Sequence, residues 1–224
     1  MRMRRKRNLD ERAEGAYPFL LKADTSCVDA RVAVEDKHFV DLSAFDESKS
    51  LELELGCGKG RYAIQYATTH PEINYLAVEK LTNVIVVGAE EAKEKNIANL
   101  RFLCSGAEYL PRFLKDKTVS RIHINFPCPF HKETYHEKRL TSKRYLEIYD
   151  NLLTDYGEIL LKTDNQRMFA FSIEQLSAYG FVLSEVTLDL HNSKYNENNI
   201  MTEYEERYTS EGLPIFHLKA TRRK

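Results

Sequence analysis

The chain has 224 residues, 42% of them apolar and 30% charged, with a formal net charge of −1. That is an ordinary globular composition with length for one α/β domain and a real core, and nothing in the net charge announces nucleic acid. No apolar run approaches the roughly 18 residues that span a bilayer, which excludes a transmembrane helix.

Residues 1–45 have weak periodicity and scattered charge and are read as a basic arm leading to a capping segment. Residues 46–224 are read as a single α/β domain. Five of residues 2 to 7 are basic, yet the stretch lacks the apolar run of a secretion signal, so a cytoplasmic protein is expected. From Leu51 the pattern becomes regular. "LELEL" predicts a strand, "GCGKG" a turn, and Arg61 to Thr69 a helix halted before Pro71. "NYLAVE" is the second strand and Asn83 to Lys95 a helix; "LRFLC" is the third, followed by a short helix near Glu108 to Leu114. "VSRIHINF" is the fourth, Lys143 to Leu153 a helix, and Gly157 opens the fifth, "EILLKT". Gln166 to Tyr179 is a helix closed by Gly180; "FVLSEVTLDL" and "PIFHLKA" are the last two strands, separated by a polar loop. This alternation predicts an α/β, doubly wound, mainly parallel seven-stranded sheet with an antiparallel edge hairpin.

Cys27, Cys57, Cys104 and Cys128 form no C-x-x-C pair, and the seven histidines contain no H-E-x-x-H, so neither a disulfide framework nor a metal site is expected. The informative turn is Gly56-Cys-Gly58-Lys-Gly60, at the end of the first strand, where doubly wound sheets bind ligands. Its spacing is neither the dinucleotide fingerprint nor a P-loop. Glu54, two residues before the first glycine, would repel a phosphate and attract a cation. Glu79, ending the second strand, is placed to accept both hydroxyl protons of a ribose. Those two acids around a glycine turn describe a site for S-adenosylmethionine, although a tight turn needs glycine for its geometry as well. At the end of the third strand, where an adenine contact is expected, Ser105 and Gly106 offer backbone amides and no carboxylate.

"LELELGCGKG", "INFPCPFHK…EKRLTSKRYLEIY", "GEILLKTDN", "LDLHN" and "MTEYEERYTSEGLPIF" together resemble the bacterial tRNA (guanine-N7-)-methyltransferases, in order and spacing, from about Leu51 to Phe216. The resemblance implies a class I methyltransferase fold and methylation of a guanosine in the tRNA variable loop. It implies S-adenosylmethionine as cofactor and S-adenosylhomocysteine as product, with Glu54, Gly56, Gly58, Gly60, Glu79, Gly106, Ala107 and Cys128 at the cofactor. Lys132, Asp164 and the run Thr202, Glu203, Tyr204, Glu205 would meet the tRNA. Catalytic positions would be Asp164 and Cys128, the latter standing where the family has an aspartate. Gly106 likewise stands where the family has an aspartate, so two of the implied acids are absent. Glu133, Glu137, Asp164 or Glu203 are candidates to stand in.

Lys132, Lys138, Arg139, Lys143 and Arg144 are read as phosphate contacts, with a solvated helix face as the alternative. Phe130 and Tyr135 suit base stacking, with core packing equally open for Phe130. The partner expected is tRNA, with no membrane and no metal, in a monomer or homodimer. A tRNA-binding protein that keeps the fold and has weakened catalysis is the second reading. A nucleotide-dependent oxidoreductase is disfavoured by Glu54 and the glycine spacing.

Overall fold

A computed structural model describes residues 7–24, 26, 29, 32 and 35–222, which fall into two units, 1–115 and 116–224. Cys27, most of the basic run at residues 2–7 and the terminal Arg223 and Lys224 lie outside the described residues.

The first unit contains α1 (Leu9–Gly15), β1 (Leu20–Leu21), β2 (Leu51–Leu55), α2 (Arg61–Thr69), β3 (Asn74–Glu79), α3 (Thr82–Glu94), β4 (Leu100–Cys104) and α4 (Leu110–Phe113). Its strands lie in the order β1-β4-β3-β2, all parallel. Parallel strands are covered on both faces, which is why "NYLAVE" and "LRFLC" read as apolar runs. β2 departs from that habit: its alternating Leu and Glu suggest one wet face, yet all five residues are buried. Glu52 is satisfied there by the Tyr66 hydroxyl of α2, which donates to it at 3.0 Å. The N-terminal segment packs onto this unit: Arg12 of α1 donates to Glu90 of α3 at 2.7 Å. Arg112, fully buried, donates to the Asp24 carboxylate at 2.9 Å and to the Asp36 carbonyl at 2.8 Å, tying residues 24 and 36 to α4.

The second unit contains β5 (Val119–Asn125), α5 (Lys143–Leu152), β6 (Leu153–Thr163), α6 (Gln166–Tyr179), β7 (Val182–Thr187), α7 (Glu203–Ser210) and β8 (Phe216–Thr221). Its strand order is β5-β6-β8-β7, with β5–β6 parallel and both β8 pairings antiparallel, which is the expected edge hairpin. Gly180 closes α6 at φ 106°, a left-handed cap that its missing side chain allows.

Three expectations are corrected. Among the described residues the strands number eight rather than seven: Leu20 and Leu21 pair with Phe102 and Leu103 as β1, a two-residue strand too short to show a period. β6 begins at Leu153, so Gly157 lies inside it, where a side chain would meet Leu153 at 2.7 Å. The polar loop between the last strands contains α7. Its sequence signal was present: Thr202 and Glu205 form a reciprocal capping box, the T-x-x-E spacing that opens helices.

Candidate functional site

In the first unit, β2 delivers the glycine turn. Gly56 and Cys57 both donate their backbone N–H to the Val78 carbonyl of β3, at 2.8 and 3.0 Å, which pins the turn to the neighbouring strand. Gly56, Gly58 and Gly60 all have positive φ, near 78°, 59° and 79°. They serve different ends. A side chain at Gly60 would strike the Phe102 ring at 2.6 Å, so that glycine is needed for packing. Nothing lies within 4 Å of a Cβ at Gly56 or Gly58, so the turn is open there to a ligand approaching the backbone. Gly88, on α3, was missed by sequence reasoning; its Cβ would meet the Lys59 carbonyl at 2.6 Å, so its absence lets the helix back onto the turn.

Two expected acids border this turn. Glu54 is 2% exposed, and Glu79 ends β3 half-buried, accepting the Leu81 backbone N–H at 3.0 Å. Burial, reinforced by Glu54 and then Glu79, pushes the Cys57 thiol well up from its ordinary range, so Cys57 is a neutral thiol rather than a nucleophile. One strand further on, Ser105 donates its N–H to the Glu79 carbonyl at 3.1 Å, joining the ends of β3 and β4. Gly106 is half-buried and Ala107 buried beside it.

In the second unit, the end of β5 is strained. Phe126 and Phe130, flanking the Pro127-Cys128-Pro129 stretch, adopt positive φ of 49° and 42°, unusual for bulky residues and characteristic of functional loops. Phe126 stacks against Tyr204 and Tyr208 of α7, with centroids 6.2 and 5.9 Å away. Cys128 is exposed. Asp164 sits half-buried in the turn after β6, beside Asn165, whose side chain caps α6 by accepting from the Met168 N–H at 2.9 Å. After burial, the Asp164 carboxylate is the main influence raising the Tyr208 phenol.

The Thr202–Glu205 run divides by face. Glu203 and Tyr204 are exposed, Tyr204 by 58%. Thr202 is buried as the helix N-cap. Glu205 is fully buried and accepts from Lys162 Nζ at 2.9 Å and from the Asn199 amide at 2.6 Å, with His191 Nε2 at 3.1 Å. With its oxygens so engaged, Glu205 serves as a strut for α7, at a position where the resemblance implies a tRNA contact.

Within the basic segment, Arg139 differs from its neighbours. Lys132, Lys138, Lys143 and Arg144 are exposed, and the Lys138 ammonium lies 4.1 Å from the centroid of the exposed Tyr135 ring. Arg139 is only 8% exposed. It donates to the Pro129 and Phe130 carbonyls at 3.0 and 3.2 Å and lies over the Phe171 ring, so it holds the strained loop. Among the described residues no cluster of three or more His, Cys, Asp or Glu side chains forms a metal-holding group.

The fold is shared with methyltransferases acting on RNA. The solved structure of the 16S rRNA methyltransferase KamB superposes with a TM-score of 0.60 at 16% identity, covering 84% of this chain and 96% of that one. A family model described as "Putative methyltransferase" matches residues 48–218. The tRNA (guanine-N(7)-)-methyltransferase of Macrococcus caseolyticus is 40% identical over 205 residues, 92% of this chain and 95% of that protein. The enzyme of that name from Clostridioides difficile is 34% identical over the full length of both. The chain belongs to the tRNA (guanine-N(7)-)-methyltransferase family.

Proposed function

We propose that this protein transfers the methyl group of S-adenosylmethionine to N7 of a guanosine in the tRNA variable loop, at nucleotide 46, leaving S-adenosylhomocysteine. The observation that carries the reading is the glycine turn, open over Gly56 and Gly58 and bordered by Glu54 and Glu79. Its donor set fits a cationic nucleoside without phosphate: carboxylates for the cation and the ribose hydroxyls, and glycine backbone for close approach. Bound S-adenosylmethionine would supply an electrophilic methyl on a positively charged sulfur.

The chain's own residues have little proton chemistry to perform. N7 of guanine has a lone pair and no proton, so no general base is required, and orientation at about 3–3.5 Å carries much of the rate. Asp164 would accept the N1 and 2-amino protons of guanine and offset the positive charge that develops on the ring. Exposed Tyr204, in its stack with Phe126 and Tyr208, offers an aromatic face to a base. Lys132, Lys138, Lys143 and Arg144 would position the phosphate backbone, and a cytoplasmic location follows from that substrate. Residues 46–224 would form the catalytic domain, with 1–45 as its basic arm and cap.

The test is purified protein with methyl-labelled S-adenosylmethionine and unmodified tRNA. Label recovered as 7-methylguanosine is the expected result. An RNA that stays unlabelled while still binding would favour the alternative, a tRNA-binding protein with weakened catalysis, for which Gly106 and Cys128 are the motive.

A further inference from the structure

We infer that Glu108 is a cofactor-positioning residue, supplying at the end of β4 the carboxylate that the strand itself lacks and receiving the exocyclic amine of the adenine. The inference rests on the S-adenosylmethionine reading and deepens it. Gly106 is the starting point. Its backbone is extended (φ −78°, ψ 150°), a conformation open to any residue, so glycine is not required there for its backbone freedom. What glycine provides is space. A Cβ at this position would lie 2.5 Å from Glu108 Oε2, 2.8 Å from its carboxyl carbon and 3.1 Å from Oε1. Glu108, in the turn Ala107–Tyr109, therefore folds back over residue 106 and occupies the volume a side chain would take.

The Glu108 carboxylate thus lies against residue 106 at the end of β4, with Oε2 turned towards that backbone, and is brought there from two residues further along the chain. The location is right for a ligand contact, because doubly wound sheets bind ligands beyond the carboxyl ends of their strands. Glu79 ends the adjacent strand, and the Ser105 N–H to Glu79 carbonyl bond holds the two strand ends together. With Glu79 at the ribose, a carboxylate one strand further out meets the base. Adenine offers there an exocyclic amine, a donor that a carboxylate accepts and that hypoxanthine replaces with an acceptor.

Calorimetry of the full chain with S-adenosylhomocysteine and S-inosylhomocysteine tests this without reference to turnover. Wild-type protein should prefer the adenosyl compound. Glu108→Gln should weaken adenosyl binding about tenfold or more and narrow the preference, since an amide also donates. Gly106→Ala, which removes no polar group, should weaken it as well by displacing the carboxylate. Gly106→Asp combined with Glu108→Ala should restore affinity, an outcome a merely structural Glu108 would not give. If wild-type protein binds and Glu108→Gln binds both compounds within twofold of it, the assignment is overturned and the functional reading stands. If wild-type protein binds neither compound, both fall together.

Discussion

Asp164→Asn removes one charge and almost no volume beside Tyr208, which makes it the sharpest single substitution in the second unit. If Asp164 offsets charge on the purine, kcat should fall roughly 10²–10³-fold with the melting temperature nearly unchanged; unaltered single-turnover rates would remove it from the mechanism. Cys128 is exposed between two prolines, so Cys128→Asp meets no packing penalty from a buried neighbour. Turnover or cofactor affinity should rise in that variant, and a large loss would show a site built on other lines. His217 carries a pH prediction. Burial and then the charge of Lys162 hold it below the ordinary 6.5, against the opposing Glu185 carboxylate 3.8 Å away. The fold therefore prefers neutral His217, and the unfolded chain takes up the proton first as pH falls. Stability from this group is complete above pH 6.5 and is lost as pH falls below it. Melting temperatures measured from about pH 7 to about pH 5 should decline more steeply for wild type than for His217→Gln.

Helix α7 shows how an element is set by a few buried polar groups. The Lys162–Glu205 pair joins β6 to the first turn of α7, and Asn199 and His191 close around the same carboxylate. Glu205→Ala leaves the Lys162 ammonium buried without its counter-charge and should cost on the order of 3–5 kcal/mol in denaturant titrations. Lys162→Met with Glu205→Leu should cost much less, because no charge is then stranded. The glycine turn is similarly determined by its neighbours: Gly60→Ala places a methyl against Phe102 at positive φ and should cost on the order of 1–3 kcal/mol. Strands β2 to β5 and helices α2, α3, α5 and α6 were legible because their apolar runs or helical periods are bounded by glycine, proline or charge. α7 was not, since its acidic, weakly apolar "EYEERYTS" looks like a loop until the capping box is read.

At the scale of the whole molecule, charge is arranged rather than accumulated: the net value is −1, while Lys132, Lys138, Lys143 and Arg144 are exposed along one short segment. Phosphate contacts release counterions, so tRNA affinity should fall linearly in log–log salt titrations. Lys138→Ala/Lys143→Ala should reduce the magnitude of that slope by about 1–2. Arg139→Ala should leave the slope unchanged and lower stability instead, because its guanidinium holds the Pro129 and Phe130 carbonyls. The sequence alone determined the α/β alternation, the glycine turn with its Glu54 and Glu79, and the family, since each is written in local period, residue type and spacing. Only the tertiary structure decided that Glu205 and Arg139 face inward, that Gly88 serves the turn, and that Glu108 reaches back over Gly106. Those outcomes depend on which groups distant in sequence become neighbours, and burial converts a charged side chain from a solvent-facing contact into a strut once a partner stands within hydrogen-bond reach.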